Sequence, residues 1–267
     1  MSTTPTHPDG ERRIALGRRL GRYGLNLLRA PLVIVAMRRR FGPGLRIGTI
    51  HRVIVIPELG LGYNRVKKNA NTTMTLLLRE LAGGAAAHRD TAKWESTSPY
   101  DLPLRQLGRL RDLRFITVVR NPYSRVLSAF LDKFREPKYR RTHGDFPLTP
   151  EGFARFVTWL ERGGLARDGH WNLQSRLIVA PLDRFDAVLR FESLGADLET
   201  AMRAVGVPFD ATRLRAAYPS DEGKRTDATA RMDGYYTRDL AARVARLFAQ
   251  DFAALGYDTA YPGSLAA

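Results

Sequence analysis

One short segment limits the folds open to this chain of 267 residues: a continuous apolar run that ends in a basic turn. The run Phe115–Val119 reads Phe-Ile-Thr-Val-Val and leads directly into Arg120, Asn121 and Pro122. A strand that is apolar on both faces is typical of a parallel sheet covered by helices on both sides. Pro122 suits the first turn of a helix, because its missing N–H is not needed there. The segment therefore predicts a buried strand followed at once by a helix.

The rest of the chain alternates apolar runs with segments of helical periodicity, which predicts an α/β fold of three layers, a central parallel sheet flanked by helices. The expected strands are His51–Ile56, Phe115–Val119 and Ala187–Phe191, and the expected helices are Met74–Leu81, one that starts at Pro122, Ala196–Val205 and Thr237–Leu255. Pro57 places the first strand at the sheet edge. Because Phe41-Gly42-Pro43-Gly44 has the composition of a linker, we expect a basic N-terminal segment, residues 1–44, and one domain, residues 45–267.

The charge balance predicts an anionic partner without naming it. Lys and Arg number 43 against 27 Asp and Glu, a net charge of +16. Nucleic acid, an acidic membrane surface, an anionic sugar and a phosphorylated nucleotide would all be attracted. The chain has no cysteine, which excludes disulfides, a thiolate zinc site and a cysteine nucleophile. This composition fits a reducing compartment, and we expect a cytoplasmic protein.

Residues 11–40 are basic and amphipathic, and we recognise no secretory signal before them. The apolar stretch Leu25–Met37 is interrupted by Arg29 and Pro31, and it is too short to span a hydrocarbon layer of about 30 Å. Two interpretations stay open. The segment lies on the inner face of an anionic membrane as a peripheral helix, or it packs its apolar side on the domain.

A first candidate anion site is a basic turn that leads into the Met74–Leu81 helix. Its residues combine one lysine with small, amide and hydroxyl side chains: Lys68, Asn69, Ala70, Asn71, Thr72 and Thr73. Free N–H groups and the helix dipole favour a phosphate or sulfate at such a helix start. The turn is not a Walker A loop, since its lysine comes first. The alternative is an ordinary capped helix that follows a solvated lysine pair.

The second candidate anion site is the turn after the Phe115–Val119 strand. The Arg120 guanidinium, at the strand end, can fork onto a phosphate. Ser128 follows two helical turns later and can add a hydroxyl to the same anion. The alternatives are a structural ion pair for Arg120 and plain helix surface for Arg125 and Ser128. Two such turns in one sheet predict a ligand with anionic groups at both ends.

These turns and three later segments resemble the carbohydrate sulfotransferases, closest to the branch of the HNK-1 and chondroitin enzymes. The segments that carry the resemblance are Lys68–Thr73, Arg120–Phe130, Asp168–Gln174, Phe185–Leu194 and Leu247–Tyr257. The second is similar to the family pattern Arg-Asp-Pro-x-x-Arg-x-x-Ser-Ala, and the third has the form Asp-x-His-Trp-x-x-Gln. The chain departs from the family pattern in carrying Lys67 in place of proline, Asn71 in place of glycine or cysteine, and Asn121 in place of aspartate.

The resemblance implies a P-loop-like fold and transfer of a sulfuryl group, without a metal, from 3′-phosphoadenosine 5′-phosphosulfate (PAPS) to a hydroxyl, expected on a carbohydrate or glycan. It implies that the turn of Lys68 holds the 5′-phosphosulfate and that Arg120 and Ser128 hold the 3′-phosphate. Lys68 is preferred over Lys67 as the catalytic lysine. A histidine is the usual base for a hydroxyl, and His170, in the third segment, is our first choice; Glu192 is the second.

A basic run around Tyr139 is a candidate contact for an anionic acceptor. Its members are Lys133, Arg135, Lys138, Arg140 and Arg141. The alternative is a solvated loop, and Lys224 and Arg225 form a smaller basic loop that resembles a nucleotide cover only weakly. The main rival function is a non-enzymatic protein that binds nucleic acid or another polyanion, but no binding module is recognised, so nucleic acid is not expected. A P-loop nucleotide kinase would need the missing Walker A loop.

Overall fold

The computed structural model describes residues 28–84, 96–216 and 226–265. Its sheet has four strands in the order β1-β2-β3-β4. The strands are β1, Val53–Ile56; β2, Leu61–Asn64; β3, Arg114–Val119; and β4, Ala187–Arg190. The pairs β2–β3 and β3–β4 are parallel, and β1 is antiparallel to β2 at the edge. The predicted α/β class and the predicted edge position are therefore confirmed.

Two details of the sheet differ from the prediction. His51 lies in a short 3₁₀ helix, Ile47–Arg52, and not on the strand, which begins at Val53. Strand β2 was not expected at all. It is fully buried beside β3, and a side chain at Gly62 would overlap the ring of Phe115. The glycine therefore allows these two strands to pair with a large aromatic ring between them.

Helices follow the strands and cover both faces of the sheet. The helical segments are α1, 28–41; α2, Asn71–Leu81; α3, Pro122–Lys133; α4, Pro137–His143; α5, Pro150–Glu161; α6, Gln174–Leu177; α7, Leu194–Ala204; α8, Thr212–Ala216; α9, Ala228–Arg231; α10, Arg238–Leu247; and α11, Ala249–Leu255. The final helix expected over Thr237–Leu255 is thus two helices that meet at Phe248. The basic run around Tyr139, for which a solvated loop was the alternative interpretation, has three of its five members on the helix α4.

Side chains alternate along the strands, so the core has one part on each face of the sheet. Ile54 and Ile116 share one cluster with residues of α2 and α7. Val53 and Phe115 point to the other face, where they pack with Met37 of α1. A third cluster lies among α3, α5, α10 and α11 around aromatic rings. The sheet is therefore the middle layer of three, as the sequence predicted.

The N-terminal helix α1 packs on the domain in its described part. Val33, Met37 and Phe41 are buried, and the rings of Phe41 and Phe115 are 4.7 Å apart. Residues 11–27 of the predicted membrane segment lie outside the described residues, and the domain boundary at residue 44 stays a prediction. Within the described ranges, no helix is long and apolar enough to cross a membrane.

Candidate active site

The two predicted anion turns lie side by side at one edge of the sheet. Strand β2 ends at Asn64 and leads through a turn into α2, while β3 ends at Val119 and leads into α3. These strands are parallel neighbours, with Asn64 opposite Thr117. Their carboxyl ends meet at the same edge, where open α/β sheets bind ligands. The two turns are therefore neighbours at this edge.

The first turn has a backbone shaped for a ligand. Lys68 and Ala70 adopt positive φ angles of 71° and 52°, which cost about 1–3 kcal/mol each for residues other than glycine and cluster at ligand sites. Ala70 precedes α2, and no side chain in the described part of the chain caps that helix. The hydroxyls of Thr72 and Thr73, in the first helical turn, have no hydrogen-bond partner among the described residues. The start of α2 thus offers donors to an anion.

Arg120 lies at the end of β3 and is oriented by three neighbours. Its Nε donates to Ser124 Oγ at 2.9 Å, its Nη1 donates to the carbonyl of Lys68 at 3.0 Å, and its guanidinium lies 3.9 Å from the ring centre of Phe191. Burial lowers the pKa of Arg120 to about 10, against the charge of Glu192, so the group stays cationic at neutral pH. Of its five N–H donors, two are used by the described residues, and three remain for a phosphate.

One amide joins the two turns to the segment that carries His170. The Gln174 Oε1 accepts from Asn69 Nδ2 at 2.6 Å and from the Arg120 N–H at 3.0 Å. Its Nε2 donates to the Arg120 carbonyl at 2.7 Å, and its own N–H donates to Asp251 at 2.7 Å. Asn69 also donates to the carbonyl of Val118. Asn69, predicted to bind the cosubstrate, therefore has its amide nitrogen engaged in the scaffold.

Arg125 is buried and links separate segments of the chain by hydrogen bonds, which contradicts its interpretation as helix surface. It is 1% exposed. Its three nitrogens donate to carbonyls of Lys67 at 3.1 Å, Asn172 at 2.9 Å and Gly169 at 3.3 Å. The planar fork of arginine suits three such acceptors. Arg125 thus links the first turn to the segment 168–174.

Three polar side chains one turn apart lie on one face of α3. Ser124 contacts Arg120, Ser128 Oγ lies 3.1 Å from Thr226 Oγ1, and Asp132 Oδ2 lies 3.0 Å from Lys68 Nζ. Ser128 is buried on this face of α3, but the hydroxyl in contact with Arg120 is that of Ser124.

Lys68 is paired with the carboxylate of Asp132, and only 15% of its side chain is exposed. Burial lowers its pKa to about 8, although the charge of Asp132 opposes this shift. Asp132 is shared with Lys133, whose Nζ lies 3.2 Å away. Burial disfavours the Asp132 carboxylate, but the two lysines outweigh that effect and its pKa is lowered. A sulfate or phosphate that reached Lys68 would compete with Asp132 for the ammonium.

His170 forms a dyad with Asp168. Its Nδ1 lies 2.6 Å from Asp168 Oδ1, which also accepts the His170 backbone N–H at 2.7 Å. This contact assigns the ring proton to Nδ1 and leaves Nε2 as an acceptor. Burial lowers the pKa of His170 to about 4, against the influence of Asp168. The imidazole is therefore neutral at pH 7 and can take a proton.

The dyad and the two lysines of the first turn belong to one charged cluster. Lys67 Nζ lies 3.6 Å from Asp168 Oδ1 and 3.5 Å from His170 Nδ1. The Tyr139 hydroxyl lies 3.2 Å from the same Nδ1, and its ring centre is 5.0 Å from Lys133 Nζ. Lys67 thus neighbours the candidate base, while Lys68 reaches towards α3.

Glu192 and Arg140, two other predicted site residues, make no described contact with this charged cluster. Glu192, in the short 3₁₀ helix that follows β4, accepts the Asn121 N–H at 2.8 Å and the Tyr257 hydroxyl at 2.7 Å. Both oxygens therefore have structural donors. Arg140 is exposed on α4. Lys224 and Arg225 lie outside the described residues.

The sequence analysis gave no role to several side chains of this site. Asp168 and Gln174 stood in the quoted Asp-x-His-Trp-x-x-Gln segment beside His170. Ser124 and Asp132 lie four residues before and after Ser128 on the same helix face, and this spacing was a usable signal. In residues 28–84, 96–216 and 226–265, no three acidic or histidine side chains are grouped so as to hold a metal ion.

Comparisons with a family model and with known proteins show what this chain is similar to. The model of the sulfotransferase family matches residues 51–258. Carbohydrate sulfotransferase 8 from Mus musculus is 28% identical over 221 residues, which cover 72% of this chain and 52% of the mouse protein. Carbohydrate sulfotransferase 9 from Homo sapiens is 29% identical over 170 residues, or 56% of this chain and 37% of the human protein. The chain spans about half the length, or less, of these relatives. No solved structure matches it.

Proposed function

Because the chain belongs to the sulfotransferase family, we propose that it is an enzyme that transfers a sulfuryl group from PAPS to a hydroxyl of a carbohydrate. The observation that carries the proposal is the pair of cationic turns, with Lys68 on one and Arg120 on the other, joined through the Arg120–Lys68 hydrogen bond and the Gln174 amide. The names of the relatives support a carbohydrate acceptor. Family membership gives no support to a non-enzymatic polyanion-binding protein.

The residues of the two turns fit an anionic nucleotide. The uncapped start of α2, with the positive φ angles of Lys68 and Ala70, supports a 5′-phosphosulfate site that would also use Thr72 and Thr73. The three N–H donors of Arg120 that the described part of the chain leaves unused support a 3′-phosphate site. Ser128 is on the same face of α3 and would add a hydroxyl. PAPS would supply the sulfuryl group to be transferred.

The chemical role of Lys68 follows from where charge develops. In sulfuryl transfer the acceptor oxygen bonds to sulfur while the bond from sulfur to the 5′-phosphate oxygen breaks. Negative charge therefore grows on that phosphate oxygen. Fixed donors in a partly dehydrated site stabilise such charge more than water does. Lys68 would provide a cation, and the first N–H groups of α2 would provide donors held in place by the helix.

His170 would accept the proton of the acceptor hydroxyl. Its Nε2 is the free acceptor once Nδ1 donates to Asp168, and its low pKa keeps it neutral at pH 7. Burial opposes ionisation of Asp168, but the hydrogen bonds and charge of His170 hold the pKa of this carboxyl well below its usual range. Asp168 thus stays an anion that fixes the tautomer of His170 and stabilises the imidazolium as it forms.

The acceptor would approach from the side of α4. Tyr139 connects this helix to His170, and the exposed Lys138, Arg140 and Arg141 of α4, together with Lys133, would attract an anionic glycan. This arrangement supports an acceptor that carries uronic acid or sulfate groups. Glu192 is a weaker candidate for an acceptor contact, since its oxygens are occupied.

The test is a transfer assay with the full chain, radiolabelled PAPS, and paired glycans with and without uronic acid. The proposal predicts label on the glycan and faster transfer to the acidic member of each pair. The test variant is Arg140→Gln, which should slow transfer to the acidic glycan. Its matched control is Arg155→Gln at an exposed position of α5, which should not. Binding of PAPS without transfer to any glycan in the panel would contradict a carbohydrate acceptor.

A further inference from the structure

Helix α1 carries apolar side chains on two opposite faces. Val33, Met37 and Phe41 are buried against the domain. Leu28, Leu32 and Val35 point away from it, with exposed fractions of 80%, 52% and 48%. A helix at a protein surface ordinarily presents polar side chains to water. We call these three residues the outer stripe of α1.

Two exposed arginines follow the outer stripe in the last turns of α1. Positions 32, 35 and 39 lie on one helix face, so Arg39 continues the line of Leu32 and Val35, and the exposed Arg38 stands beside it. The helix therefore has an outward face that is apolar over its first turns and cationic over its last. This order is typical of a helix that lies in a membrane interface, with its apolar part among acyl chains and its basic part among phosphates.

The basic end of this face opens on an arginine-lined cleft of about 460 Å³. The lining residues are Arg39, Arg40, Arg111, Asp112, Leu113, Arg114 and Asp186. Arg40 is paired with Asp186, and Arg111 Nε lies 3.3 Å from Asp112. Arg39 and Arg114 have no ion pair among the described residues. The cleft therefore keeps cationic groups that an anionic headgroup could neutralise.

We propose that α1 and the arginine cleft form a docking surface for a membrane that contains anionic lipids. The outer stripe inserts among the lipids, and Arg38, Arg39 and Arg114 contact headgroup phosphates. Charge complementarity selects this occupant. In a symmetric pair of chains the same arginines would face each other and repel, and a nucleic acid would leave the outer stripe in water.

The docking surface lies away from the candidate active site. Arg114 begins β3 and lines the cleft, whereas Arg120 follows the end of the same strand. Six residues of extended chain span about 20 Å. The turns that carry Lys68 and Arg120 therefore stay open to solution when the cleft contacts a membrane. The proposal does not depend on the sulfuryl-transfer chemistry, and the two fail independently.

The test is co-sedimentation of the full chain with two kinds of vesicle. One contains phosphatidylcholine alone, and the other also contains about 30% phosphatidylglycerol, which gives its surface the negative potential of an anionic leaflet. The proposal predicts binding to the anionic vesicles only. Leu32→Asp/Val35→Asp should abolish it. Arg38→Gln/Arg39→Gln should weaken binding to the anionic vesicles about 25-fold, because each positive charge near the surface contributes about fivefold in affinity. The exposed pair Arg155→Gln/Arg162→Gln, with the same charge change, should bind as the original chain does.

Two results would overturn the proposal. Equal vesicle binding by the original chain and by Leu32→Asp/Val35→Asp would show that the outer stripe is not inserted. A dimer that dissociates in that variant, with no vesicle binding by the original chain, would assign the stripe to a second copy. All substituted side chains are exposed, so we expect each variant to fold, and circular dichroism with thermal denaturation checks this without relying on nucleotide binding.

Discussion

The Gln174 side chain binds both backbone polar groups of Arg120, since its Oε1 accepts the Arg120 N–H at 3.0 Å and its Nε2 donates to the Arg120 carbonyl at 2.7 Å. The same Oε1 accepts from Asn69 in the first turn. One buried amide therefore fixes the spacing between the two cationic turns. This spacing decides whether one ligand can contact both.

Loss of the Gln174 amide should destabilise the fold and weaken nucleotide binding together. Gln174→Leu removes the side-chain partner of the buried Arg120 N–H and carbonyl and one of the two acceptors of Asn69 Nδ2, which costs about 2–4 kcal/mol in the free energy of unfolding. Urea denaturation measures that loss. Gln250→Leu makes the same chemical change at an exposed site and should change stability by less than about 0.5 kcal/mol. Equal stability of the two variants would contradict the role given to Gln174.

The sequence predicted the strand β3 and its turn because both signals are local. A continuous apolar run and a proline at the helix start need no knowledge of the rest of the fold. Strand β2 was not predicted, because Leu61-Gly62-Tyr63-Asn64 is short and contains two residues that are poor strand formers. Gly62 is required by the ring of Phe115 from another strand, and such a contact cannot be seen in a local pattern.

The same limit applies to the site. Arg120 and His170 were predicted from motifs, and the structure gives both specific partners. The burial of Arg125 was not predicted, because its carbonyl partners come from two segments distant in sequence. The ion pair of Lys68 with Asp132 also depends on how α3 crosses the first turn. Contacts between segments, unlike motifs, follow only from the assembled fold.

Removal of the candidate base should affect turnover and not nucleotide binding. His170→Ala is expected to lower kcat about 10²–10⁴-fold, the usual contribution of a positioned base. Asp168→Ala should lower kcat as well, since the tautomer of His170 is then no longer fixed. His143→Ala is the matched control, because its ring is 5.7 Å from Tyr139 but His143 is not part of the dyad. A larger loss for His143→Ala than for His170→Ala would assign the base to His143.

The pH dependence of kcat/KM should have two limbs. His170 must be neutral to accept a proton, so activity should rise as pH increases through about 4, its pKa. Lys68 must be charged, so activity should fall as pH increases through about 8, its pKa. Asp132 raises the pKa of Lys68, and Asp132→Asn should therefore move the upper limb to lower pH. An upper limb that stays in place in this variant would show that Lys68 is not the group that titrates there.

The central claim is that the turns of Lys68 and Arg120 bind one nucleotide with phosphates at both ends. Calorimetric titration with adenosine 3′,5′-bisphosphate, without metal and beside AMP, tests it most directly. The account predicts that the bisphosphate binds at least about 10-fold more tightly than AMP and that Arg120→Gln removes this difference, since a charged hydrogen bond contributes about 1.5–3 kcal/mol. Arg114→Gln, at the other end of the same strand, should keep it. Equal affinity of the original chain for the two nucleotides would contradict the account.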